Sequence, residues 1–348
     1  MKDYSFVVKL TNSCNMNCGY CYHRKNLTEH TESRMSEETL RRTIECLIDH
    51  NHDYAHFIWH GGEPLLLGLD YFQRIMDLEA QYAKPGMSLS NSVQTNGTML
   101  SDEWIDFFVK HDFHVGISLD GFHELHQFNR DLDDQTFDVI VEYIRKLKEK
   151  GARFGVLSVV SQRTLGNEER LFDFFCEAGI ENVGFLPMNY GNAEDSLSAA
   201  DYGKFLKRYF EIWIFKGKLG LSIREFDEFL RGHCGVVQRL CVHCNDCDIY
   251  YTVTPTGDIY PCDCFPQLPE SRLGTVFDNL KTVHKNVLTF LRGSETLPKP
   301  CTGCKFKAIC GGGCKYYRWL HNQDYTEPQL YCASYKTLYQ TMERCLSQ

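Results

Sequence analysis

Between residues 4 and 215, six apolar, β-branched segments alternate with six stretches of helical period, and this alternation constrains the fold more than any other feature of the chain. The strand-like segments are 4–11, 55–60, 88–95, 113–119, 154–160 and 182–188. The helical stretches are 36–50, 70–83, 101–110, 135–149, 167–178 and 199–215, with Ser36 and Ser101, each followed by acidic residues, as N-caps. Strand-then-helix repeats require a parallel sheet with right-handed crossovers. Six units rather than eight predict an α/β fold, a partial (β/α)6 TIM-type barrel with its chemistry at the carboxyl ends of the strands. Past residue 217 the alternation stops, and from Cys234 to Cys332 the chain is punctuated by Cys, Gly and Pro. Two domains are therefore predicted, 1–217 and 218–348. The second ends in a C-terminal helix and takes its core from bound metal rather than from layered helices.

Seventeen cysteines cannot all pair within one chain, and a chain of 348 residues with 43% apolar residues needs no disulfide staples. No run reaches the roughly 18 apolar residues of a membrane span, and MKDYSFVVKL lacks the apolar core of a secretory signal. A cytoplasmic protein is expected, with its thiols reduced and clustered as metal ligands. Lys and Arg number 37 against 46 Asp and Glu, a net charge of -9. That balance speaks against a phosphate-neutralising surface for nucleic acid and favours a peptide or small-molecule partner.

Cys14, Cys18 and Cys21 stand as C-x3-C-x2-C directly after the first strand. Three thiolates on one loop suit a 4Fe-4S cluster that keeps one iron open, whereas structural zinc requires a fourth protein ligand from elsewhere. With Tyr20 just before Cys21, the triplet resembles the radical S-adenosylmethionine superfamily. The resemblance implies that the open iron binds the amine and carboxylate of S-adenosylmethionine. One electron then cleaves the sulfonium, and the resulting 5′-deoxyadenosyl radical abstracts a hydrogen atom while the protein positions and shields it. His60-Gly61-Gly62-Glu63-Pro64 resembles the family's GGEP motif, in which Gly62 lets bare backbone approach the methionine amine. Gln94-Thr95-Asn96-Gly97 and Ser118-Leu119-Asp120-Gly121 follow at later strand ends. By the same resemblance Tyr20 belongs to the cofactor site, Ser118 and Arg130 hold the ribose and the methionine carboxylate, and Asn189 lies on the adenine side. Each of these residues taken singly also suits a turn or a helix surface.

Beyond residue 217, Cys241, Cys247 and Cys262 are separated by five and fourteen residues, and Cys301, Cys304, Cys310, Cys314 and Cys332 by two, five, three and seventeen. Eight thiols suffice for two fully ligated 4Fe-4S clusters. The series resembles the SPASM domain of peptide-modifying radical enzymes. The resemblance implies a first auxiliary cluster on Cys241, Cys247, Cys262 and Cys314, a second on Cys301, Cys304, Cys310 and Cys332, and three clusters in all. Cys244 and Cys264 are rival ligands, and a pair of four-cysteine zinc sites is the alternative metal reading.

Asp263 follows Cys262 directly, a position similar to the general base of anaerobic sulfatase maturases. Such a base takes the proton released when a substrate radical is oxidised, while an auxiliary cluster takes the electron. Where those maturases carry Gln and Tyr, this chain has His60 and His23, both expected to face the substrate pocket. A strand-end packing residue is the other reading of His60. WHGGEPLLLG also resembles maturases of ribosomally made peptides. The leading expectation is therefore a peptide-modifying oxidoreductase that abstracts a Cβ hydrogen and forms an intrapeptide cross-link. Oxidation of Cys or Ser to formylglycine is the alternative, and a zinc-bearing interaction scaffold is the non-enzymatic one. Only 13 residues precede Cys14, so a separate leader-recognition protein or the barrel loops would recognise the peptide. A reduced ferredoxin or flavodoxin is the implied electron donor.

Overall fold

The computed structural model describes residues 3–22, 34–130, 133–189, 196–217, 220–244, 247–248, 250–293 and 296–347. The six expected strands are present within a residue or so of their sequence bounds: β1 (Ser5–Thr11), β2 (Tyr54–Gly61), β3 (Ser88–Thr95), β4 (His114–Ser118), β5 (Arg153–Val160) and β6 (Asn182–Pro187). The helices between them are α1 (Glu37–His50), α2 (Leu69–Tyr82), α3 (Asp102–Lys110), α4 (His123–Arg130), α5 (Asp134–Glu149), α6 (Glu168–Glu177) and α7 (Ala199–Lys216). Ser36 accepts the Thr39 N–H at 3.1 Å and Ser101 the Trp104 N–H at 3.3 Å, so both expected caps form. The short helix α4 is an addition that the sequence reading did not separate from its loop.

Side chains alternate across each strand, which divides the wall of the barrel into two faces. On β2, Ala55, Phe57 and Trp59 are buried under the helices, whereas His56, Ile58 and His60 turn to the inner face. Complete barrels fill this inner space with layers of bulky residues. Here Ser92, Gly116, Gly155 and Gly184 are small, and a cavity of about 1110 Å³ remains, bordered by Arg224, Arg231 and Arg239 at one side.

Two expectations about the second half change. The βα alternation continues past residue 217, because β7 (Ser222–Ile223) pairs parallel with β6 and leads into α8 (Arg224–His233). Farther along, β8 (Tyr250–Val253) pairs parallel with β1, and β9 (Asp258–Tyr260) and β10 (Gly274–Thr275) extend the sheet antiparallel. One ten-stranded sheet, ordered β10-β9-β8-β1-β2-β3-β4-β5-β6-β7, therefore runs through both halves. Nor does the second half depend on metal alone for a core. Tyr335, Leu338, Tyr339 and Met342 recur at helical spacing on the C-terminal helix Cys332–Leu346 and are buried. Tyr202 of α7 meets Tyr331 and Tyr335 at 5.4 and 6.3 Å between ring centroids. Among the described residues no helix is long and apolar enough to cross a membrane.

Candidate active site

The loop carrying Cys14, Cys18 and Cys21 leaves the carboxyl end of β1 and is seated by backbone contacts with the next strand end. Gly62 N–H donates to Thr11 O at 2.7 Å, and Glu63 N–H donates to Ser13 O at 2.9 Å. A Cβ on Gly61 would lie 2.3 Å from Thr11 O, and one on Gly62 would lie 2.1 Å from Ser13 O. Gly61 also holds φ at 141°, which other residues rarely adopt. These glycines admit the cysteine loop itself, a packing role that the sequence reading of Gly62 as bare backbone for the cofactor did not include.

Cys18 and Tyr20 pack with Val159 and Met188 at the ends of β5 and β6, beside Met16 and Cys21. Burial pushes the Cys18 thiol up to about 11, offset in part by the Arg130 guanidinium. Cys14 is also raised, chiefly by burial, although the Met16 N–H donates to its sulfur at 3.4 Å. The three thiols lie within one another's electrostatic reach.

Around them stand two buried carboxylates that the sequence reading quoted in motifs but gave no role. Glu63 accepts hydrogen bonds from the Thr95 hydroxyl, the Leu65 N–H and the Asn96 N–H at 2.8, 3.0 and 2.7 Å. Burial outweighs these donors and pushes its carboxyl up to about 7. Asp120 accepts two N–H groups of Arg130, the Tyr20 hydroxyl at 2.8 Å and the Val159 N–H at 3.0 Å. Its carboxyl stays below the usual carboxylate range: burial, the largest influence, raises it, but Arg130 and the other donors prevail. Both carboxylates lie in motifs beside Gly residues, which was the available signal.

The remaining expected cofactor residues line the same strand ends. Ser118 Oγ accepts from Gln94 Nε2 at 3.0 Å. The Asn189 Nδ2 amide at the end of β6 is buried without a hydrogen-bond partner among the described residues. An orphaned donor, a buried carboxylate poised near neutrality and a three-thiol loop are the donor set that S-adenosylmethionine on a cluster requires. The residues present fit that group.

Across the barrel mouth, Lys9 is 3% exposed, and its ammonium lies 2.9 Å from Asp263 Oδ1. Asp263 Oδ2 accepts the Tyr22 hydroxyl. His60, the register partner of Lys9 on β2, accepts the Gly61 N–H at Nδ1, 2.6 Å away. Burial lowers its pKa, while Asp263 acts in the opposite sense. Asp263 and His60 thus lie within electrostatic reach of each other. Lys9 and Tyr22 were missed, and nothing local in the sequence marks them. His23 lies outside the described residues.

In the second half, Cys301, Cys304, Cys310 and Cys332 line one cavity with Phe306, Gly312, Tyr335 and Tyr339. Cys310 is pushed up to about 11 by burial and by the neighbouring thiols. Cys314 is raised by burial and by Cys247 and Cys262. Cys247 and Cys262 thus lie within electrostatic reach of Cys314, apart from the four thiols of that cavity, and Cys241 sits on the short helix Cys241–Cys244. Cys264 hydrogen-bonds Cys262, and the side chain of Cys244 lies outside what is described. Soft thiol donors in groups of four fit 4Fe-4S clusters. Among the described residues no three His, Cys, Asp or Glu groups converge tightly enough to hold a single metal ion.

The Radical SAM superfamily profile matches residues 8–175. The chain is similar to the cysteine-type anaerobic sulfatase-maturating enzyme of Clostridium perfringens, at 31% identity over 98% of this chain and 96% of that one. It is also similar to the serine-type enzyme of Bacteroides thetaiotaomicron, at 28% identity over 97% and 88%. Among solved structures it resembles native anSMEcpe with bound AdoMet, with a TM-score of 0.89 and 28% identity over 99% of this chain and 98% of that chain. That protein has also been solved with AdoMet and a Cp18Cys peptide.

Proposed function

The chain belongs to the radical SAM superfamily and to its family of anaerobic sulfatase-maturating enzymes, and from that premise we propose that it oxidises a Cys or Ser side chain of a peptide or protein to formylglycine. The cross-link favoured by the sequence reading gives way to this, because the relatives matched along nearly their whole length are sulfatase maturases. The same membership favours an enzyme over a zinc scaffold.

Cys14, Cys18 and Cys21 would hold the 4Fe-4S cluster, with Tyr20, Gly62, Ser118, Arg130 and Asn189 around the bound S-adenosylmethionine. When bound, this pair supplies a radical that removes one hydrogen atom. Cys241, Cys247, Cys262 and Cys314, and Cys301, Cys304, Cys310 and Cys332, would hold two auxiliary clusters, making three. The chain's own groups do the rest. Arg130 and Asp120 fix Tyr20 and the cysteine loop, the inner cavity receives the peptide, and His60 stands beside Lys9 and Asp263 at the barrel mouth. Once a hydrogen atom has left Cβ, completing the oxidation releases an electron, which an auxiliary cluster would take, and a proton, which Asp263 takes. Serine then stands as the aldehyde, whereas cysteine stands as a thioaldehyde that water hydrolyses with release of hydrogen sulfide. The division at residue 217, a ferredoxin or flavodoxin donor and a cytoplasmic setting belong to the same proposal. A separate leader-recognition protein belonged to the cross-linking reading.

The observation that carries this reading is the position of Asp263, which follows a cluster cysteine yet reaches the barrel mouth between Lys9 and Tyr22. The test is anaerobic incubation of reconstituted enzyme with S-adenosylmethionine, reductant and a cysteine-containing sulfatase-type peptide. An aldehyde trapped by a hydrazine is expected. A peptide that loses two hydrogens and yields no aldehyde would restore the cross-linking reading.

A further inference from the structure

A lysine in the wall of a barrel needs a reason, because an ammonium withdrawn from water is costly unless it is paired. Lys9 lies in the carboxyl half of β1, opposite His60 of β2 and one residue past the last pair that β1 makes with β8. Its partner comes from the far end of the chain, where the Asp263 carboxylate meets the ammonium at 2.9 Å through Oδ1. The other oxygen of that carboxylate takes the Tyr22 hydroxyl, and the Lys9 ammonium lies 5.4 Å from the centre of the Tyr22 ring. Each carboxylate oxygen is thus fixed by a different element, one by β1 and one by the residue after Cys21. Asp263 itself is carried on the loop of Cys262, which has no regular secondary structure to aim it.

We propose that Lys9 is a positioning residue for the oxidation: its ammonium, acting with Tyr22, fixes the Asp263 carboxylate at the barrel mouth where the substrate proton is released. The inference rests on the reading of Asp263 as the base. Lys9 acts through its fixed place beside the carboxylate. Its contribution is orientation, so its removal leaves radical generation intact and slows the step that follows. Hydrogen atoms are then abstracted without product, and 5′-deoxyadenosine accumulates in excess of aldehyde.

Reconstituted K9M, K9R and D263N holoenzymes are compared with wild type, measuring 5′-deoxyadenosine, aldehyde, and peptide KM separately from kcat. In K9M the aldehyde kcat is expected to fall by about 10²-fold, the cost of a misplaced reacting group. Nucleoside formation and KM should stay within about twofold, which orientation alone leaves untouched. K9R, which keeps the charge, should recover part of the coupling. An unchanged nucleoside-to-aldehyde ratio in K9M, an equal fall of both products, or a K9R enzyme no better coupled than K9M would each overturn the role. If K9M does not fold, K9Q takes its place in the same comparison. D263N separates the premise from the inference. Wild-type aldehyde formation in D263N sinks the base reading itself, whereas its loss there with normal coupling in K9M sinks only the role of Lys9.

Discussion

Arg130 grips Asp120 through two parallel N–H···O bonds of 3.0 and 3.1 Å, at a point closed to water where Asp120 also receives the Tyr20 hydroxyl. Deleting one partner strands the other charge, a loss of about 3–5 kcal/mol for a buried pair. Arg130→Met should therefore lower the unfolding free energy of the cofactor-free protein by about that amount. Arg130→Lys should recover only part of it, because an ammonium cannot make the two-point contact. Denaturant unfolding measures both, and a loss below about 1 kcal/mol would mean that the pair behaves as a solvated one.

A second buried carboxylate gives a pH signature remote from the cysteines. Glu79 accepts Asn91 Nδ2 at 2.8 Å, and Asn91 in turn accepts Trp59 Nε1 at 2.7 Å. Burial pushes the Glu79 carboxyl up from 4.5 to about 8, against the lowering effect of Asn91. The folded state then keeps a proton that the unfolded chain has released, so this group's contribution is full below pH 4.5 and declines as pH rises to about 8. Glu79→Gln retains an acceptor for Asn91 and never ionises. Its stability relative to wild type should improve by about 1.4 kcal/mol per pH unit within that window. Unfolding midpoints at pH 5 and pH 8 provide the check, and a difference independent of pH would refute the shift.

The hollow barrel predicts a steric effect. Leu157, the register partner of Gly184 on β6, lines the inner cavity, so Leu157→Trp fills space without introducing charge. Overfilling costs about 1–3 kcal/mol, which read as binding is roughly tenfold or more in peptide KM. Cofactor cleavage without peptide should be little changed. Wild-type KM in this variant would show that the peptide binds elsewhere.

The thiol groups predict separable iron losses. Cys310→Ala and Cys262→Ala should each remove about four irons from a total of about twelve per chain, the contents of one and of three 4Fe-4S clusters. Cys264→Ala should remove none, since that thiol contacts Cys262 rather than completing the set. Iron and sulfide analysis after anaerobic reconstitution decides, and loss of about four irons in Cys264→Ala would make Cys264 the ligand.

The barrel was legible because its signals are local. β1 to β6 carry enough alternating or β-branched residues to declare themselves, and Ser36 and Ser101 cap helices by contacts three residues away. By contrast β7 and β10 have two residues each, too few for any period, and exist because neighbouring strands pair with them. The site divides in the same way. Cysteine spacing and the Asp after Cys262 were visible as chemistry, but the Tyr22 contact with Asp263 spans 241 residues and leaves no trace in composition. Gly62 was visible as a residue, but its close approach to the Ser13 backbone was not, because that contact joins two separate loops.

β1 is the first strand made, yet its pairing with β8 waits for residues 250–253. Synthesis at about 5–20 residues per second leaves one edge of β1 unmatched for on the order of 10–50 s while the rest of the chain emerges. During that interval the nascent protein carries a hydrogen-bonding edge that a second chain could match. The order of manufacture thus makes the last third of the polypeptide the guardian of its first ten residues.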